Sequence, residues 1–296
     1  MRRMIATLTG AAAAALIVPA LVTAAPASAQ SAPADPVSAL KGQLKAHHGV
    51  KLAESSKLIG DGKNQRAIFS RRNGVLEFGK PGVVASDLTS TFSLPGAEKE
   101  LKDLFAPSRT ITVKDTSYTS GGFYGDALPE GRKWVRTPSD LTTAGNPGQQ
   151  MVNPLEPGTL KAVLAHTTAK RPGGTWDGVK TVVHSGTITL GELYKVSPTV
   201  RAALGAKPSA KSAPLPVNWQ FYIGSDQLVR RAVSSYTQSL RGLVSVDITY
   251  LNDSRYTSWG VKSAIKAPPA SQVADIKDLD LDQEQTEDPY IRVFKD

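Results

Sequence analysis

The chain of 296 residues carries 35 Lys plus Arg against 26 Asp plus Glu, a formal charge of +9, and it has no Cys. The missing Cys excludes a disulfide framework and a lipoprotein cleavage site, so stability must come from a hydrophobic core. The length supports such a core in one large β-rich domain as well as in two small ones.

The N-terminus sets the compartment. Arg2 and Arg3 precede an apolar run from Ile5 to Val22 that closes on Ala27-Ser28-Ala29, the pattern of a secretory signal peptide with a small-residue cleavage site. The run is too short and too Ala-rich to be kept as a spanning helix. Cleavage after Ala29 is expected to leave Gln30 first, in a mature protein that is secreted, extracellular or wall-associated and carries no lipid anchor. Cleavage removes two bases and no acids, which leaves +7; residues 30–272 hold thirty bases and eighteen acids, and the segment from Val273 onward three bases and eight acids. A basic body outside a cell meets an anionic membrane or acidic wall polymers and not nucleic acid, although a plain soluble basic surface explains the same charge.

Residues 30–35 are rich in Ala, Ser, Pro and Gln and are expected to be disordered. Asp35-Pro36 then supplies an N-cap and a first-turn proline, with Val37, Leu40 and Leu44 on one helical face ending near His48. From Ala67 to Phe78 two β-type runs flank Asn73-Gly74, which predicts a tight hairpin. Further strands are expected at Thr110–Tyr118, Lys133–Arg136, Val179–Leu190, Val217–Ile223, Leu228–Tyr236, Val244–Leu251 and Ser258–Lys266. In Val217, Trp219, Phe221 and Ile223 the apolar side chains share one face, so one face of the sheet is buried. Helices are expected at Gly96–Phe105, Pro157–His166 and Ser197–Leu204, the last with Ser197 as cap and Gly205 past its end. Such interruptions suggest helices lying against one curved sheet. From Ile276 the chain loses periodicity and reads as an acidic tail, residues 276–296.

Motifs that could carry catalysis fail on their partners. Gly74 to Lys80 matches the glycine and lysine spacing of a phosphate loop, but Pro81 stands where a Ser or Thr must hold magnesium. Ser38-Ala39-Leu40-Lys41 and Ser263-Ala264-Ile265-Lys266 have the Ser-x-x-Lys spacing of penicillin-binding enzymes without a Lys-Thr-Gly partner. His47 and His48 adjoin at a helix end and point about 100° apart, a poor start for a metal site. His166 and His184 would signal a hydrolase only beside a Ser and an Asp in a cleft. No enzymatic activity, no metal and no cofactor is therefore expected. Trp134, Trp176, Trp219 and Trp259 lie in or beside strands, where a core role is the default, with Trp134 and Trp219 as candidates to line a pocket. Gly260 beside Trp259 suggests a bulge. Arg230-Arg231 alternates across the sheet, so one of the two faces outward.

A serial pattern runs through the middle and end of the chain: Gly122-Phe123-Tyr124-Gly125, Lys133-Trp134-Val135-Arg136, Asn153-Pro154-Leu155, Trp176-Asp177-Gly178-Val179, Thr187-Ile188-Thr189, Trp219 to Gly224, Leu228 to Arg231, Tyr256 to Gly260 and Ala267-Pro268-Pro269-Ala270-Ser271. In order and spacing it resembles the actinobacterial secreted and lipoprotein family related to LppX and LprG, within the LolA-like group, over Val37 to Asp275. The lipobox Cys is absent, and Gly224 replaces the family's usual acidic turn residue. The resemblance implies an α+β fold over residues 36–275: a strongly bent antiparallel β half-barrel with helices covering its concave face around an apolar cavity. It also implies a non-enzymatic protein that binds or carries an acyl-chain lipid or a lipidated molecule. Trp134, Leu155, Leu160, Val163, Leu164, Trp219 and Phe221 would then line the cavity, the four helical residues acting as a lid. The alternative is an envelope-associated interaction or regulatory protein with the same fold and a filled core.

Overall fold

A computed structural model describes residues 35–60, 67–93, 106–125, 127–138, 150–240 and 246–279. Its strands are β1 (His48–Gly60), β2 (Ala67–Gly79), β3 (Gly82–Ser93), β4 (Ser108–Val113), β5 (Thr116–Gly121), β6 (Trp134–Pro138), β7 (Thr167–Trp176), β8 (Val179–Thr189), β9 (Pro216–Gly224), β10 (Val229–Leu240), β11 (Val246–Lys262) and β12 (Val273–Asp275). All twelve join one sheet in the order β12-β6-β5-β4-β3-β2-β1-β11-β10-β9-β8-β7. Every pairing is antiparallel except β12 with β6. The sheet is curved and does not close, and with its helices it forms the expected bent α+β half-barrel.

The helices are α1 (Pro36–Gln43), α2 (Pro157–Ala165), α3 (Leu190–Val196) and α4 (Pro198–Leu204). Their starts follow from capping chemistry. Asp35 accepts from the backbone N–H of Val37 at 2.8 Å and of Ser38 at 3.0 Å, satisfying donors that the first turn leaves open. Thr189 and Glu192 form a reciprocal capping box on α3. Ser197 caps α4, which ends at Gly205 in the left-handed region, φ 63°. These helices lay Leu40, Leu160, Val163, Leu193 and Val200 on Val50, Leu52, Leu76, Phe78, Trp219 and Phe221 of the sheet, in one core cluster. Full burial of each large apolar side chain contributes about 1.5–3 kcal/mol.

Three expectations change. Asn73-Gly74 is no hairpin turn, because β2 runs straight through it, with Gly74 opposite Leu52 on one side and Leu88 on the other. Glycine is required there by proximity: a β-carbon would stand 1.9 Å from the Asp87 carbonyl oxygen. The chain reverses instead at Lys80-Pro81, between paired Gly79 and Gly82. The strands expected at Val244–Leu251 and Ser258–Lys266 are, over the described residues, parts of one 17-residue strand, β11, which ends at Lys262. Conversely, Thr110–Tyr118 is split into β4 and β5 by a turn with Lys114 at φ 55°. The bulge expected at Gly260 is present: the β1–β11 register shifts between Gly49 and Lys51, opposite Ser258 and Gly260 at positive φ. The signal peptide, the expected helix at Gly96–Phe105 and the tail from residue 280 lie outside the described residues.

Candidate functional site

The seven residues singled out in the sequence divide into two groups. Leu155, Leu160, Val163, Trp219 and Phe221 are at most 2% exposed and share the core cluster, with the half-buried Leu164 packed against it. Trp219 and Phe221 sit 5.2 Å apart between ring centroids, as alternate residues on one face of β9. The Trp219 indole N–H has no hydrogen-bond partner among the described residues, so this ring contributes area and not polarity. Trp134 stands apart, on β6, beneath the Arg109 guanidinium at 5.7 Å, which is bound through two hydrogen bonds to Asp87. Seven strands separate β6 from β9 in the sheet order.

The helical layer is tied together by one carboxylate. Glu156, just before α2, accepts from Thr159 Oγ1 (2.6 Å), Ser197 Oγ (2.7 Å) and the Thr199 backbone N–H (2.9 Å), which joins the start of α2 to the α3–α4 junction. Asn153 adds to this link, accepting from the Leu155 N–H at 3.0 Å and donating to Thr199 Oγ1 at 3.2 Å. Beside it lies a cleft of about 350 Å³ between Pro81, Val83, Leu155, Pro157, Val196 and Pro198. Of the seven residues, Leu155 alone lines it.

Sequence reasoning missed a polar band on the same face of the sheet. Glu54 of β1 pairs in register with Arg72 of β2 and with Ser254 of β11; Ser56 pairs with Ser70 and Asn252, and Asn252 with Ser234 of β10. All are buried. Glu54 is ion-paired with Arg72 and accepts from Ser254 Oγ at 2.7 Å; Ser254 in turn accepts from Gln150 Nε2 at 3.1 Å, and Gln150 Oε1 accepts from Ser234. Burial, with Glu54 beside it, pushes the Tyr256 hydroxyl far above the usual phenol range. Because the charges are matched internally, the band fixes strand register: a one-residue slip would turn both charges out of their partners' reach.

The opposite face of β3-β2-β1-β11 carries a groove of about 580 Å³. Its position follows from period-two alternation, since residues paired across strands point the same way. One row comprises Ser93, Phe69, Lys57 and Leu251, and the next comprises Thr91, Arg71, Ser55 and Asp253. Phe69 (37% exposed) and Leu251 (41%) are two of the three large apolar side chains left open among the described residues. The Lys57 ammonium lies over the Phe69 ring at 5.1 Å. Asp253 is held by Arg231 through two hydrogen bonds of 2.7 and 2.6 Å, and Arg231 also packs on Trp176 and Tyr222. Lys57 and Arg71 have no ion-pair partner among the described residues. Part of the signal was available: the β-type run of β2 puts Phe69 and Arg71 on one face, while their partners lie on other strands.

The remaining groups are committed elsewhere. Arg230 is buried, bound to Asp226 at 2.5 Å and facing Asp177 at 3.9 Å, so neither residue of the Arg230-Arg231 pair offers a free cation. His166 lies 3.7 Å from Glu192, whose carboxylate is occupied in capping α3 and is held below the usual range mainly by Thr189. His184, paired with Lys170 and Phe221, is held below the ordinary imidazole value by burial and then by Lys170. Among the described residues no three His, Cys, Asp or Glu gather as for a metal.

No family model matches the chain, and no curated protein does. Two solved structures are similar at a low level. A structure described as lipid–protein interactions in lipovitellin has 9% identity and a TM-score of 0.31, covering 76% of this chain. The chain spans about a quarter of that one, 26%. A DUF1329 family protein from Desulfovibrio piger has 10% identity and a TM-score of 0.23, covering 78% of this chain and 95% of its own.

Proposed function

We propose that the protein is an exported, non-enzymatic lipid-binding protein, consistent with its serial resemblance to the LppX- and LprG-related, LolA-like group. The observation that supports this reading is the open groove on the sheet, where Phe69 and Leu251 remain exposed in a volume within the ~300–1,000 Å³ usual for small-ligand sites. Covering those side chains with an acyl chain gains roughly 0.8 kcal/mol per buried methylene and needs no titratable group. The burial of Leu155, Leu160, Val163, Trp219 and Phe221 in one cluster is what the second reading, an envelope interaction protein, would expect, and the two are separated by what the protein carries.

The test is organic extraction and mass spectrometry of the mature protein, purified without detergent from an exporting bacterial host. Lipid in stoichiometric amount is expected in the wild type and in Val163→Glu if that variant folds, and is expected to be lost in Leu251→Asp. An empty wild-type extract, together with no binding of a fluorescent fatty acid, turns the reading to the interaction protein. Loss of lipid from a folded Val163→Glu alone would return the site to the space beneath the helices.

A further inference from the structure

We propose that the groove selects an anionic acyl-chain amphiphile, with its headgroup between Lys57 and Arg71 and its chain over Phe69 and Leu251. This rests on the lipid-binding reading and names the ligand class of that site. Lys57 opposes Phe69, and Arg71 lies two residues farther along β2 on the same face, so the two cations are diagonal neighbours. Such neighbours are about 7–8 Å apart at the backbone, within reach of one carboxylate or phosphate for side chains this long. The cation–π contact with Phe69 places the Lys57 ammonium at the boundary between the apolar floor and the headgroup position. Arg71 adds a planar fork able to hold an oxyanion through two hydrogen bonds.

The charge balance gives the sign. Asp253, the acid in the groove, is neutralised by Arg231, and Lys57 and Arg71, without an ion-pair partner among the described residues, set the local field. Among the described residues a choline or other cationic head finds no free carboxylate in the groove. Hydroxyls of Ser55, Thr91 and Ser93 flank the same rows and supply neutral hydrogen bonds. At about 580 Å³ the groove is of the size that holds one small amphiphile.

The full mature protein would be titrated calorimetrically with laurate, monolauroylglycerol and lauryltrimethylammonium, each below its micellar concentration. Laurate is expected to bind about tenfold or more tighter than the other two, the usual gain from a charge-assisted contact. Lys57→Glu combined with Arg71→Glu should remove that advantage and leave monolauroylglycerol within about twofold, and Lys57→Gln with Arg71→Gln should do the same more weakly. Leu251→Asp should weaken all three. Equal binding of laurate and monolauroylglycerol, unaffected by charge reversal, would overturn the anionic selectivity and leave lipid binding standing. Absence of binding by all three would overturn the lipid-binding reading itself. Binding to phosphatidylglycerol vesicles with none to monomeric laurate would overturn the monomer site in favour of a membrane-docking face.

Discussion

The two faces of the sheet use the same kinds of residue to opposite ends. On the helix-covered face Leu160, Phe78 and Trp219 are interlocked, and even the charges Glu54 and Arg72 are matched out of solvent. On the opposite face Phe69 and Leu251 stay open, and Lys57 and Arg71 have no acid of their own among the described residues. The first face is built for stability, and the proposal above places recognition on the second, because a satisfied group has nothing left to offer a ligand.

The sharpest way to break this contrast is at the buried ion pair. Arg72→Met should cost about 3–5 kcal/mol in urea denaturation by leaving Glu54 buried and unpaired, and adding Glu54→Leu should recover most of that loss. If the double substitution is as damaging as the single one, the band holds the sheet by something other than charge matching. Next, Leu160→Ala should cost about 2–5 kcal/mol as a cavity in the core, whereas Leu251→Ser on the open face should stay within about 0.5 kcal/mol while lowering lipid binding. Comparable losses at the two sites would erase the distinction between the faces. The smallest effect is one of pH. The imidazole of His184 is held below its ordinary value of 6.5, so the folded state disfavours its proton. Its contribution is complete above about pH 6.5 and is lost as pH falls below that toward the lowered folded value, because the unfolded chain takes up the proton first. In His184→Asn the thermal midpoint should therefore drop less between pH 7 and 5.5 than in the wild type, and identical slopes would dismiss the effect.

What the sequence conveys depends on what each strand points inward. The strand β9 was legible since Val217, Trp219, Phe221 and Ile223 alternate with polar neighbours and all four are buried. The strand β1 was not, because its inward positions run Val50, Leu52, Glu54, Ser56 and Leu58, and the polar band interrupts the alternation. The β10–β11 segments lose contrast for the same reason at Ser234, Asn252 and Ser254. Dipeptide signals were equally divided. Asp177-Gly178 does make the β7–β8 turn, with φ of 50° and 73°, whereas Asn73-Gly74 lies mid-strand because the Asp87 carbonyl approaches too closely for any side chain. Capping signals at Asp35 and Ser197 held, being local and independent of tertiary contact. The groove was hidden because its residues come from four strands whose register no single segment contains.

The way the sheet stops at each side has a consequence for the protein as a solute. Among the described residues the twelve-stranded half-barrel has two borders without a further strand, and an unpaired strand invites polymerisation by adding the strand of another molecule. Here one border is β12, three residues long. The other is β7, whose pairing with β8 slips twice, around Thr167–Ala169 and Pro172–Thr175, and which carries Lys170, Arg171 and a proline. Neither offers a long, flat hydrogen-bonding template. A protein without disulfides can thus keep its open sheet from seeding fibrils.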